Sequence, residues 1–197
     1  MIKRIYYDEK DNTTTPLSNN TLSKTESLTC RLDKILLNKL RSESEQKEIS
    51  VNTLINQILR NHSDWHSNAA KAGFIPIRRS LIMKLMEKVS EEEMVDIAES
   101  LIKKDTKDIH LMLRNQYTIE SAIDLIETWI RIAGYPYRHE VDYERHNYAI
   151  KHEMGNKWSL YLKALFAFIF EEFGLGRVIF EVRDNTLSFT VDTRSLI

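Results

Sequence analysis

Residues Ser27–Leu59 read SLTCRLDKILLNKLRSESEQKEISVNTLINQIL, and this stretch decides how the chain is organised. Leu28, Cys30 and Leu32 alternate with Ser27, Thr29 and Arg31, the two-residue period of a half-buried strand. Asp33 then stands where a helix N-cap belongs. Ile35, Leu36, Leu37 and Leu40 follow at helical spacing. That helix fades through the polar run from Arg41 to Glu48. Ser50 is a second N-cap, and Val51, Leu54, Ile55, Ile58 and Leu59 form the apolar stripe of a second helix. The pattern predicts that this helix runs to Ala72 and stops at Gly73, a residue free to take the left-handed conformation of a helix terminus.

A six-residue strand and two helices offer a small core, and a fragment of that size usually needs a partner to be stable. Pairing the strand antiparallel with the same strand of a second copy satisfies one edge of each. It also lets four helices close over one shared interior. Ser27, Thr29 and Arg31 then appear twice on the outer face of a two-stranded ribbon, an element that fits the major groove of DNA.

In its order of elements and its Ser-Val-Asn opening of the second helix, Ser27–Leu59 resembles the ribbon-helix-helix (Arc/MetJ/CopG-type) DNA-binding family. The resemblance covers about residues 25–62 and implies a homodimeric transcription regulator bound to double-stranded DNA. It places Ser27, Thr29 and Arg31 at the base-reading ribbon positions. Ser50, Val51 and Asn52 fall at the helix start that holds a backbone phosphate. A helix N-terminus suits that role physically, with free N–H groups and partial positive charge. The family often has a glycine in the turn between its helices, where Lys47-Glu48-Ile49 stands here.

Outward from this module, residues 1–25 are expected to be a flexible arm, since 8–25 are rich in Thr, Asn and Ser. The module itself is assigned to 26–72 and a second domain to 73–197, divided near Gly73-Phe74-Ile75-Pro76 because proline blocks helix continuation. In the second domain four helices are expected, at about 79–89, 91–103, 107–115 and 119–133. The Ser90–Glu93 capping box opens the second of them. Strand periodicity follows in Tyr137–Tyr143 and Tyr148–His152, with a turn near Arg145-His146, and again around 178–182 and 187–191, with a turn at Asp184-Asn185. Between the hairpins lies a helix at 156–173. The fold class is thus α+β and mainly helical, a ribbon-helix-helix followed by helices and a ββαββ antiparallel sheet.

Under that register His139 and His152 sit opposite each other on one face. They are the candidate metal pair, weighed against the simpler reading of two hydrogen-bonded histidines at a sheet margin. Trp158, Tyr161, Phe166 and Phe170 suit either an apolar ligand pocket or, more simply, a packed core. The sequence carries no nucleophile motif, glycine-rich phosphate loop or HExxH, so an enzyme is not expected, nor a cofactor.

Bulk composition adds exclusions rather than a function. Lys and Arg number 28 against 29 Asp and Glu, so net charge lends nothing to a nucleic-acid partner and local arrangement must carry it. A single cysteine, Cys30, excludes an internal disulfide and fits a reducing, cytoplasmic setting. The most apolar run, 160–173, is too short and too charged to span a bilayer, so no membrane partner is expected. Two other readings stay open: an antitoxin-type DNA-binding protein, and a ligand-binding protein that uses the ribbon-helix-helix only to dimerise. In the regulator reading, the C-terminal domain is expected to take a small-molecule or protein effector or to build higher oligomers.

Overall fold

The computed structural model describes residues 3–6, 26–175 and 177–196. The described residues divide into two compact units, 26–61 and 3–6 with 62–175 and 177–196. No helix among the described residues is long and apolar enough to cross a membrane.

In the first unit, residues 26–33 form no helix and pair with no strand among the described residues. Helix α1, Lys34–Gln46, begins where Asp33 accepts the Leu36 N–H at 2.8 Å. Helix α2, Val51–Asn61, begins where Ser50 Oγ accepts the Thr53 N–H at 3.0 Å. Both caps are those expected from the sequence. Between the helices the chain turns at Glu48, whose φ is 55°. Its N–H donates to Glu45 O at 3.1 Å, and the Ile49 N–H donates to Ser44 O at 3.0 Å. These two bonds make a Schellman motif. Glu48 therefore holds the left-handed conformation that a glycine would adopt without strain.

The same pair of bonds closes the helical segment that enters the second unit. After α2 the backbone passes through a π-helical turn, His62–His66, and a short helix α3, Ser67–Ala69. Gly73, at φ 85°, donates to Ala70 O, and Phe74 donates to Ala69 O. The unit boundary lies at 61/62 rather than 72/73 because Trp65 and Ala69 are buried with Leu113, against Ile109, Leu125 and Trp129.

Helix α4 is Arg79–Met86. Helix α5, Glu91–Arg114, is one helix of 24 residues where two had been expected at 91–103 and 107–115. The polar run Lys103–Asp108 lies mostly exposed on it and contains no glycine or proline to stop it. Its capping box forms as expected, Ser90 Oγ accepting from Glu93 N at 3.0 Å and Glu93 from Ser90 N at 2.6 Å. These bonds favour the charged carboxylate and hold Glu93 below its ordinary pKa. Helix α6, Ile119–Ile132, is capped by Thr118.

Strands β1 (Lys3–Tyr6), β2 (Tyr137–Asp142), β3 (Arg145–Lys151), β4 (Ile179–Arg183) and β5 (Thr186–Asp192) form one antiparallel sheet in the order β1-β2-β3-β5-β4. Helix α7, Asn156–Glu172, links the two hairpins, giving the expected ββαββ order. Lys3–Tyr6, assigned from sequence to the arm, pairs along the β2 edge. Residues 7–25 of that arm lie outside the described residues. One sheet face is apolar: Tyr137, Tyr148, Ile150, Leu187, Phe189 and Val191 are buried with Leu162, Phe166 and Phe170 of α7. The opposite face carries Arg138, Glu140, Lys151, Ser188 and Thr190, as the alternation implied.

The first hairpin turns at Tyr143-Glu144, not at Arg145-His146. Tyr143 takes φ 56° and is exposed, whereas His146 is buried. The register moves by an even number of residues, so His139 and His152 keep the inward face but no longer oppose each other. His139 faces Tyr148 instead. The second hairpin turns at Asp184-Asn185 as expected, although neither residue has a positive φ.

Glu48→Gly relieves the left-handed strain and should raise stability, whereas the β-branched Glu48→Val should lower it by about 1–2 kcal/mol. Urea denaturation of the two full-length variants checks this, and equal stabilities would contradict the strained turn.

Candidate functional site

The residues assigned to DNA contact all lie in the first unit. Ser27, Thr29 and Arg31 are exposed, as are Ser50 and Asn52, while Val51 is half-buried. The α2 start has the free N–H groups common to helix N-termini. Ser50 Oγ occupies the Thr53 N–H and also bonds Thr53 Oγ1 at 2.8 Å, leaving the first N–H groups of the helix, at Val51 and Asn52, without an intrahelical acceptor. The apolar side chains expected inside a shared core are split. Leu54 is buried at 1% exposure, but Leu28 is 84% exposed, Ile35 72% and Leu59 53%, with Leu32, Leu36 and Ile58 also exposed. Cys30, expected to face inward, is exposed in the single chain.

In the second unit the sequence pointed to His139 and His152, and the structure gives each a separate role. His152 accepts the Met154 N–H at Nδ1 (3.1 Å), which places its proton on Nε2. That Nε2–H donates to Ser159 Oγ at 2.7 Å, and Ser159 in turn donates to Arg183 O at 2.6 Å. This tautomer cannot take a proton from the serine, so the His-Ser pair is no nucleophile. It ties the end of β3 to α7 and β4. Burial, with the charge of Arg79 adding to it, lowers the His152 pKa to about 4. His110 uses the same device, bonded to Ser121 Oγ at 2.7 Å, and burial followed by Arg114 lowers its pKa.

His139 belongs to a buried cluster with a histidine that the sequence placed in a turn. Its Nδ1–H donates to Glu127 Oε1 of α6 at 2.9 Å, and its Nε2 lies 3.0 Å from His146 Nδ1. Tyr148 donates to the same carboxylate oxygen at 2.5 Å. The rings of His139 and Tyr148 stack with centroids 4.0 Å apart. Burial by itself would raise the Glu127 pKa. The His139 hydrogen bond and charge, then the Tyr148 hydroxyl, outweigh it and hold the carboxyl below its ordinary range. Burial lowers His146 to about 4, His139 adding to the effect and Glu127 opposing it. Burial and then the Glu127 charge push Tyr148 well up.

The signal that would have found this cluster is the inward parity of His146 together with Glu127 on the sheet-facing side of α6. Among the described residues no group of three or more His, Cys, Asp or Glu could hold a metal ion. The candidate pair His139 and His152 is corrected accordingly: the register separates them, and each ring is held by its own partners. No family model, curated protein or solved structure matches the chain.

Removing the carboxylate strands two buried donors. Glu127→Ala should cost about 2–4 kcal/mol, and Glu127→Gln, which keeps an acceptor, should cost less; urea denaturation reads both. His146 and His152 have folded pKa values near 4, below the ordinary 6.5, so the unfolded chain protonates first as pH falls. Their contribution is complete above about pH 6.5 and is lost progressively toward pH 4, about 2–3 kcal/mol for the pair between pH 7.5 and 5.5. A stability unchanged over that interval would contradict buried neutral imidazoles.

Proposed function

We propose that the chain is a sequence-specific DNA-binding transcription regulator that acts as a homodimer or higher homo-oligomer. In this reading residues 26–61 form a ribbon-helix-helix module when two copies pair. The observation that carries it is the exposure of Leu28, Ile35, Leu36, Ile58 and Leu59 on a chain segment whose strand pattern finds no partner strand among the described residues. Each such side chain, once buried, contributes about 1.5–3 kcal/mol. These five side chains are between 42% and 84% exposed, equivalent to about three full burials per copy, so two copies supply about 9–18 kcal/mol against an association cost of about 4–15 kcal/mol. The expected caps at Asp33 and Ser50, and a left-handed turn at Glu48 where the resembled family often has glycine, support the same reading.

Function then follows from the ribbon. Ser27, Thr29 and Arg31 from both copies face the major groove, where hydroxyls and guanidinium groups read base edges. The α2 start holds a phosphate on either side through the Val51 and Asn52 N–H groups. The first unit is near charge balance, so phosphate contacts are few and the ribbon bears much of the discrimination. The antitoxin-type alternative is less well supported, because the C-terminal part is a folded unit with its own sheet and core.

Duplexes selected from random DNA should bind the full-length protein with an affinity that falls with salt. Arg31→Ala should cost about 1–3 kcal/mol of discrimination between the selected and random duplexes. Equal discrimination in wild type and variant would remove the reading role of the ribbon.

A further inference from the structure

The second unit contains a cavity of about 400 Å³, within the range of about 300–1,000 Å³ usual for small-molecule sites. Its walls come from three helices. Helix α7 presents two adjacent stripes: Leu162, Phe166 and Phe170 fill the core against the sheet, whereas Tyr161, Leu165 and Ile169, one position earlier at each turn, are half-buried and line the cavity, which Phe166 also reaches. Helix α5 supplies Ile102 and Ile109, and α6 supplies Ala122, Leu125 and Trp129.

The roof is the turn after α3. Gly73, in its left-handed conformation, folds Phe74 back so that its ring meets Trp65 at 4.8 Å. Arg114 anchors this roof, donating to Asp64 O at 2.9 Å and to Asp124 Oδ2 of α6 at 2.7 Å. A water inside would find few polar partners. His110, which reaches the cavity, already spends its Nε2 on Ser121. The other lining residues with polar atoms are Tyr161, Trp65 and Trp129, each with a single hydroxyl or indole N–H, and Asp105 and Thr106 on the outer side of α5, where Asp105 brings the charged acceptor.

We infer that this cavity is a binding site for an uncharged small molecule with an apolar, largely aromatic body and one hydrogen-bond-donating end, a hydroxyl or an arylamine N–H. The body stacks among Trp65, Trp129 and Tyr161, and the donor end meets the Asp105 carboxylate at the mouth. An anionic head is disfavoured there by that carboxylate. The site lies wholly within the second unit and stands whether or not residues 26–61 contact DNA.

The test uses the full-length protein and two fluorescent probes. N-phenyl-1-naphthylamine has an apolar aromatic body and one N–H, and 8-anilinonaphthalene-1-sulfonate is its anionic analogue. The neutral probe should bind saturably at one per chain, and the sulfonate about tenfold more weakly. Ala122→Phe and Leu125→Trp fill the cavity and should each weaken the neutral probe by about tenfold while circular dichroism stays that of the wild type. Leu85→Lys, on the exposed apolar side of α4, should leave binding unchanged. Absence of saturable binding, wild-type affinity in a folded filled variant, or loss of binding in Leu85→Lys would overturn the site. Should both filled variants fail to fold, the preference between probes and the Leu85→Lys result decide.

Discussion

An extended hexapeptide and two short helices cannot enclose an apolar interior. In the first unit Leu54 is buried, but Leu28 at one end and Leu59 at the other stand in solvent. Water penalises each of these side chains, and nothing within residues 26–61 can cover them all. On the proposed reading, self-association supplies both missing parts at once: a second strand for residues 27–32 and the other half of a core. The proposed role of Ser27, Thr29 and Arg31 depends on that pairing, because a lone extended segment has no fixed face to offer a groove.

The second unit meets its needs internally. One face of its sheet is closed by α7, and the buried histidines of the unit are each held by a partner. His110 with Ser121 and His152 with Ser159 are neutral imidazoles locked by a serine. His139 is locked by a carboxylate shared with Tyr148. Such bonds give a core a unique arrangement at the cost of sensitivity to acid, since His110, His146 and His152, held below their ordinary pKa by burial, are easier to protonate once the chain unfolds. Where α7 turns its second stripe away from the sheet, α5 and α6 do not fill the space, and the apolar cavity results.

Much of this was legible in the sequence. The helix starts at Asp33, Ser50, Ser90 and Thr118, the stop at Gly73 and the ββαββ order depend on local chemistry, such as caps, periodicity and turn residues, which one chain displays directly. The misses share a cause. The hairpin turn was placed on the polar pair Arg145-His146 because nothing local shows that His146 bonds His139 in the interior. Likewise α5 runs through a polar stretch that reads as a break, because an exposed helix face is polar by nature. The Glu127 cluster joins residues from α6, β2 and β3, and that juxtaposition exists only in the fold. The aromatic helix had been read chiefly as core. It serves as core on one stripe and lines the cavity on the next.

The central claim is that two chains join through the stretch around Leu28 and Leu32. Light scattering on the full-length protein measures it most directly, with Leu28→Asp as the comparison. A mass twice the 23.2 kDa of one chain, reverting to a single chain in the variant, is the predicted result. A wild-type monomer, or a dimer indifferent to the aspartate, would contradict it.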